Sequence, residues 1–310
     1  MSLTRLIALL AALTLALVPV ACGGDGDGGG GGGASGASAA DVLKRAGKNT
    51  AKSADVKLEL EASLKGADDL EGPVKFSLEG PYRSNGAKTL PDLDWRMHAE
   101  GDGQKFDARL ITTSDNAWVE YEGKTYEVGE QLVSQLTTQL KSQPSNPQQL
   151  GSLDLEGWFK DPEVEDAEAG GVPTQRVSGD VDVRKVLESV DKVMQKSAPS
   201  GQAAPRLTPQ MIDEIAEAVT KAHVSTDVGR DDGIMRRNSM ELSFEVPEGR
   251  RASAKGLEGG DVKLLFEQSD VNGDQRVKAP ANAAPIQELL RALGIPPQLL
   301  GPGVTPQMPG

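Results

Sequence analysis

From Val56 to Leu110, apolar and charged residues alternate with a period of two, and this pattern constrains the fold more than any other feature. Val56, Leu58, Leu60, Ala62 and Leu64 alternate with Lys57, Glu59, Glu61, Ser63 and Lys65. Val74, Phe76 and Leu78 alternate with Lys75, Ser77 and Glu79, and Leu93, Trp95, Met97 and Ala99 with Asp94, Arg96, His98 and Glu100. Phe106, Ala108 and Leu110 continue the series. Successive side chains of an extended chain point to opposite faces, so each run sorts its apolar groups to one side and its charges to the other. A sheet with one dry and one wet face is antiparallel in habit.

More strands follow the same logic. Ala117 to Tyr121 and Lys124 to Val128 form a hairpin around Glu122-Gly123, and Val172 to Val177 reads as a further strand. Val224, Thr226 and Val228 lead into Asp232-Gly233, a hairpin turn signal. The return strand carries Met240, Leu242, Phe244 and Val246 on one face, and Val262, Leu264 and Phe266 make the next strand, ending at Asn272-Gly273. Between these segments the spacing becomes helical. Ser38 and Asp41 form a capping signal for a helix from about Ala39 to Lys52, with Val42, Leu43 and Ala46 on one face. Leu132, Val133, Leu136 and Leu140 fall on one stripe, as do Val183, Val186, Leu187, Val190, Val193 and Met194. Leu153 to Phe159 reads as a buried turn or half-helix. Thr208 caps a helix that has Pro209 at its first position, with Met211, Ile212, Ile215 and Val219 as its buried stripe. Pro285 opens a last helix with Ile286, Leu289, Leu290 and Leu293, and Gly294 closes it. Gln143 to Gln149 and Ser197 to Arg206 read as loops. The order implies an α+β fold with one large antiparallel sheet whose apolar face is covered by helices.

The front of the chain is an address. Arg5 is the only charge before the apolar run Leu6 to Ala21, which ends in small residues, the pattern of a secretory signal. Cys22 stands directly after Val20-Ala21, and the segment resembles a bacterial lipoprotein lipobox, although Pro19 occupies a position usually held by Leu. The resemblance implies a diacylglyceryl group on the Cys22 thiol and cleavage that removes residues 1–21. An uncleaved transmembrane anchor is the other reading of the run, which is at the short limit of the ~20 residues that span a bilayer. Either way the rest of the chain lies outside the cytoplasmic membrane, since Arg5 favours the inside. Residues 22–38, rich in glycine, read as a flexible tether, 39–294 as the folded domain, and 295–310 as a disordered Pro/Gly-rich tail.

Composition narrows the functions further. One cysteine in 310 residues excludes an internal disulfide and argues against thiol catalysis or a cysteine metal site. A net charge of -13 argues against nucleic acid, whose phosphates need a basic footprint.

Four features together resemble a known family: the lipobox with its glycine spacer, the one-sided meander, the segment 117–128 (AWVEYEGKTYEV) and the segment 171–179 (GVPTQRVSG) before a helix. They are similar to the actinobacterial LppX/LprG-type lipoproteins, which share a fold with the lipoprotein carriers LolA and LolB. The resemblance implies a strongly curved sheet forming a half-barrel, a lid of helices, and an apolar cavity for acyl chains. Its walls here would be Leu58, Leu60, Phe76, Leu78, Trp95, Met97, Phe106, Leu110, Met240, Leu242, Phe244, Leu264 and Phe266. The same side chains would serve equally as a filled core packed on the helices.

Other chemistry finds little support. His98 and His223 fall on the charged faces of their strands, away from the carboxylates or hydroxyls that a nucleophile–base pair needs. Asp270, Asn272 and Asp274 have calcium-loop spacing, but Gln275 and Ala281 stand where Gly and Glu are required, so an Asn-Gly hairpin explains them better. The acidic run Asp161, Glu163, Glu165, Asp166 and Glu168 reads as a solvated loop. Arg236 and Arg237 are adjacent in a strand, so one of them faces the apolar side, to snorkel to the rim or meet a ligand headgroup. The expectation is an exported, lipid-anchored envelope protein on the outer face of the cytoplasmic membrane. It binds or transfers a lipid or lipidated molecule, with an envelope protein as a further partner and with no cofactor, metal or catalysis. The alternative is a non-catalytic envelope interaction or sensor module with a filled core.

Overall fold

The computed structural model describes residues 37–66, 72–86, 89–142, 156–197 and 206–294. The signal segment, Cys22, most of the tether, the loop segments 143–149 and 198–205, and the tail from 295 lie outside the described residues.

The strands are β1 (Ser53–Lys65), β2 (Val74–Arg83), β3 (Asp92–Gly101), β4 (Gln104–Thr112), β5 (Ala117–Tyr121), β6 (Lys124–Glu127), β7 (Phe159–Ala169), β8 (Val172–Val181), β9 (Val219–Gly229), β10 (Met235–Glu245), β11 (Gly259–Ser269) and β12 (Ala284–Pro285). They form one sheet in the order β12-β6-β5-β4-β3-β2-β1-β11-β10-β9-β8-β7. All neighbours pair antiparallel except β12, which lies parallel to β6. The fold is thus α+β around a large, almost wholly antiparallel sheet, as the alternation implies.

The pairing keeps the two faces distinct across the whole sheet. On one face Thr226, Asn238, Phe266, Leu58, Leu78, Met97, Ala108 and Tyr121 stand side by side on successive strands, beside a second row of Val224, Met240, Leu264, Leu60, Phe76, Ala99 and Phe106. On the other face Asp180, His223, Glu241, Lys263, Glu61, Lys75, Glu100 and Lys105 form a row in which, from Glu241 on, glutamates alternate with lysines. This row helps to set the register. A one-residue slip would turn apolar groups outward. A two-residue slip would keep the faces, but it would put Glu61 opposite Asp261 or Leu265 in place of Lys263, and like charges directly opposite are destabilising.

Two groups of helices cover parts of the apolar face. Helix α1 (Ala39–Lys48) is capped by Ser38, whose Oγ accepts the Asp41 N–H, and it buries Val42, Leu43 and Ala46. It ends four residues before the expected Lys52. Asn49 leaves the helical conformation there, and its side-chain amide donates to the Asp232 carbonyl at 2.8 Å. Helix α2 (Glu130–Ser142) follows β6, and a single 3-10 turn (Glu156–Trp158) precedes β7. Helices α3 (Val183–Ser197) and α4 (Pro209–Ala218) follow β8. Thr208 caps α4 as expected, its hydroxyl accepting the Met211 N–H. A short α5 (Glu248–Arg251) precedes β11, and α6 (Ile286–Ala292) follows β12. The main core joins α1, α3, α4 and Trp158 to Val177, Val224, Val228, Met240, Leu264 and Phe266 on β8 to β11. At the far edge Ile286, Leu289 and Leu290 of α6 pack on Tyr126, with Val119, Tyr121 and Leu132 around them. Leu293, expected on this stripe, is exposed.

Three readings are corrected. The acidic run 161–168 is not a loop but most of β7, the edge strand. Both faces of β7 meet solvent, so alternation is weak, and charges on an edge strand discourage pairing with another chain. A bulge between Lys160 and Glu163, with Asp161 at φ 47°, also interrupts the edge. Second, Asn272-Gly273 ends β11 without starting a hairpin. The chain instead crosses the ends of the intervening strands to reach β12 beside β6. Hydrogen bonds from Asn272 N to the Ser53 carbonyl (2.7 Å) and from Lys52 N to Asn272 Oδ1 (2.9 Å) tie down its start. Third, both histidines do sit among carboxylates. His98 Nδ1 is 2.7 Å from Asp107, and His223 Nδ1 is 3.1 Å from Asp180. Among the described residues neither ring is hydrogen-bonded to a hydroxyl.

Candidate functional site

The residues expected to line a cavity divide into two sets. Met240, Leu242, Phe244, Leu264 and Phe266, on β10 and β11, are buried. Met240, Leu264 and Phe266 belong to the main core, and Phe244 packs in a corner with Val246 and Leu257. Leu58 and Leu60 on β1 are half-buried at the border of that core. Phe76, Leu78, Trp95, Met97 and Leu110, on β2 to β4, are half-buried like Leu58 and Leu60, and Phe106 is exposed at 43%.

This division gives the apolar face its shape. One bank consists of α1, α3 and α4 over β7 to β11, and the other of α6 and the start of α2 over β5 and β6. Between them β1 to β4 form an open apolar floor. No cluster of buried residues includes Phe76, Leu78, Trp95, Met97 or Leu110 among the described residues. Met240, Leu264 and Phe266 pack with residues of α1, α3 and α4, and each floor side chain keeps part of its surface in water. Fully burying one large aliphatic or aromatic side chain is worth about 1.5–3 kcal/mol, so the floor holds unspent driving force for an apolar occupant.

The floor has one residue that the sequence reading did not name. Tyr121 stacks on Phe106 with ring centroids 5.3 Å apart and 26° between the planes. Its place on the apolar face could have been read from the alternation of Ala117, Val119 and Tyr121. The neighbouring Glu122 carboxylate raises the Tyr121 phenol above its ordinary pKa, so the hydroxyl stays neutral.

A bend in β2 shapes the floor. Gly80 has φ 142°, and a side-chain carbon there would lie 2.1 Å from the Asp94 carbonyl oxygen. Pro81 follows and has no N–H to donate to a ladder. The β2–β3 pairs are Glu79 with Arg96 and Tyr82 with Leu93, so the regular ladder is interrupted between them. Glycine within a strand marks such a close approach or bend.

The opposite face is a lattice of ion pairs. Arg109 donates to Asp94 (Nε–Oδ1 2.5 Å, Nη2–Oδ2 2.7 Å) and to Glu120 (3.2 Å), bonds that raise its pKa. Arg237 donates to Glu267 at 2.7 Å. Of the two arginines Arg236 is the buried one, at 6% exposed. It donates to the Ile234 carbonyl at 3.0 Å and pairs with Asp232, so local groups occupy it rather than the floor. A depression of about 490 Å³ runs over Glu59, Glu61, Lys75, His98, Glu100, Glu241 and Lys263. Four glutamates stand there against two lysines and His98, so the depression carries a net negative charge. Among the described residues no group of histidine, cysteine and carboxylate side chains is arranged to hold a metal. The calcium-loop oxygens are engaged elsewhere: Asn272 Oδ1 accepts from Lys52 N, and Asp270 Oδ2 accepts from Gln275 Nε2 at 2.8 Å. No described helix is long and apolar enough to cross a membrane.

No protein-family model matches the chain, and no curated relative does. Among solved structures the chain is similar to the crystal structure of LprF from Mycobacterium bovis, with a TM-score of 0.36 and 12% sequence identity, over 81% of this chain and 100% of that one.

Proposed function

We propose that the protein is an exported envelope lipoprotein, anchored through Cys22, that holds the acyl part of a lipid or lipidated molecule on the floor of β1 to β4. One observation carries this reading. The apolar face is packed under helices on both sides, and between them Phe76, Leu78, Trp95, Met97 and Leu110 stay half-buried and outside those cores. Each acyl CH₂ laid on such a surface gains about 0.8 kcal/mol when fully buried. Binding of this kind needs no cofactor and no catalytic group. The lipobox-like segment and the tether that follows supply a membrane address suited to the task. One acyl chain holds a protein marginally, whereas two or more anchor it stably.

Native mass spectrometry tests the reading on the chain from Cys22 onward, carrying Cys22→Ser and purified from a bacterial host. The expected result is co-purified mass that is released as lipid on denaturation. An apo mass that takes up nothing from added envelope lipids would refute lipid holding. Anchoring is tested separately. The full chain should partition with membranes and incorporate an alkyne fatty acid, and Cys22→Ser should abolish both.

A further inference from the structure

Strand β7 ends the sheet, and from Glu163 to Ala169 it pairs residue by residue with β8. Its outer edge has no such ladder. Among the described residues no hydrogen bond beyond the β8 pairing reaches the backbone N–H or C=O groups of 163–169. The opposite end of the sheet is β12, only two residues long, so β7 is the edge with room for a strand. Its seven paired residues extend about 23 Å, the length of an ordinary strand. The charges of β7 continue a pattern. From Lys57 through Glu267, Arg237, Asp227 and Arg176 to Glu165, register partners on six successive strands alternate in sign. At Glu165 the row stops on a negative charge, with Arg176 on its inner side and solvent on its outer side. Glu163 and Glu168, also exposed, have no basic partner among the described residues, and Asp166 pairs with Arg230. Val164, between Glu163 and Glu165, is exposed although its register partner Val177 is fully buried.

We propose that this edge is a docking site for a basic, extended segment of a partner protein, which adds to the sheet as a further strand antiparallel to β7. The charges of β7 discourage indiscriminate pairing, and the same charges choose the strand that fits. A second β7 would set carboxylates against carboxylates, and like charges directly opposite are destabilising. A neutral strand would leave Glu163, Glu165, Asp166 and Glu168 without counter-charge. Lysine or arginine opposite each of them carries the alternation of the row one strand further, and an aliphatic residue fits opposite Val164. In such an addition the main chain supplies affinity and the side chains supply specificity. The net charge of -13 also draws a basic segment toward the protein from a distance. The bulge between Lys160 and Glu163 bounds the site at one end, and the turn at Gly170-Gly171 bounds it at the other. The inference does not depend on the floor holding a lipid.

The probe is the end-capped peptide KTKKVK, whose residues oppose Glu168 to Glu163 in antiparallel order. It is titrated at low salt into the ¹⁵N-labelled chain from Cys22 onward with Cys22→Ser. The expected result is that the backbone amides of 163–169 shift together, and that the affinity falls as salt is added. Glu163→Lys combined with Glu168→Lys should weaken binding by about tenfold, worth ~1.4 kcal/mol. Both side chains are exposed and outside ion pairs, so the thermal midpoint should stay in place and report that the variant is folded. A second comparison separates strand addition from mere attraction of lysines to an acidic surface. One peptide carries N-methyl groups on its first, third and fifth residues, the other on its second, fourth and sixth, with the same charge. An added antiparallel strand turns only every second amide toward its neighbour. One methylated peptide should therefore lose binding by tenfold or more while the other keeps it. Equal affinity of the two would overturn strand addition. No shift at 163–169 with the unmodified peptide, or unchanged affinity in the double lysine variant, would overturn the site itself.

Discussion

Arg176 grips Asp227 with two prongs, Nε to Oδ1 at 2.7 Å and Nη2 to Oδ2 at 3.1 Å, although the Asp227 side chain has no solvent exposure. The two residues are direct register partners on β8 and β9. The bond to Asp227 raises the Arg176 pKa, so the guanidinium keeps its charge. Removing one member of a buried pair strands the other's charge at a cost of about 3–5 kcal/mol. Arg176→Ala should therefore lower stability by about 3 kcal/mol or more in a urea titration. The double variant Arg176→Leu, Asp227→Leu should lose less than Arg176→Ala, because it leaves no buried charge unpaired. Equal loss in both would show that the ion pair does more than neutralise Asp227.

Exposed pairs of the same lattice behave differently. Lys221 lies 2.5 Å from Glu241, and the hydrogen bond and the charge together lower the Glu241 pKa from its ordinary 4.5. A carboxylate whose folded pKa is depressed gives stability that is complete above its unfolded value and is lost as pH falls through the folded one. Both side chains are about half exposed, so solvent screening keeps that contribution small. An NMR titration of the side-chain carboxyl should place the Glu241 midpoint below 4.5, and Lys221→Met should return it toward that value. A midpoint unmoved by the substitution would mean that the pair does not persist in solution.

Gly80 provides a backbone test of how the floor is bent. Its φ of 142° and the Asp94 carbonyl 2.1 Å from an added side-chain carbon leave no room for alanine. Gly80→Ala should cost about 3 kcal/mol, since β2 and β3 must separate or the backbone must change conformation. Gly249→Ala, in helix α5 where nothing lies within 4 Å, is the control and should not lower the thermal midpoint. Little loss at Gly80 would mean that the bend is not held by this close approach.

These positions show how far the sequence could be read. The meander was legible because each strand from β1 to β4 has apolar groups on one side and charges on the other. Strand β7 was not, because at a sheet edge nothing forces Asp161 to Glu168 to alternate. The pairing of β1 with β11 was also hidden, since it joins residues about two hundred positions apart, such as Leu60 and Leu264. Once paired, Glu61 with Lys263 and Lys57 with Glu267 show the complementarity that holds the register. The candidate site was legible only in part. Leu78 and Leu242 carry the same period-two signal, yet one lies on the open floor and the other is buried. A strand records which way its side chains point. Whether a helix covers them depends on where α1, α3 and α6 dock, and no strand residue encodes that.

The difference between floor and core yields the sharpest test of the proposed function. Met240 is 2% exposed within the main core, and Met97 lies half-buried on the floor two strands beyond β1. Met240→Ala should open a cavity and cost about 2–5 kcal/mol. Met97→Ala removes contacts that are only partly made and should cost about 1 kcal/mol or less, by the same packing argument applied to a half-buried site. Ligand load should follow the opposite order. Met97→Glu would bring an unpaired carboxylate onto the surface where acyl chains lie, and burying that charge beneath a ligand is costly. The predicted outcome is a thermal midpoint near that of the unsubstituted chain and little or no lipid in native mass spectra. Met240→Ala should instead lower the midpoint while keeping the lipid. If Met97→Glu retained its lipid, the occupant would have to lie elsewhere than on β1 to β4. If it unfolded as readily as Met240→Ala, the floor would be a packed part of the core, and the open surface between the helices would not be a binding site.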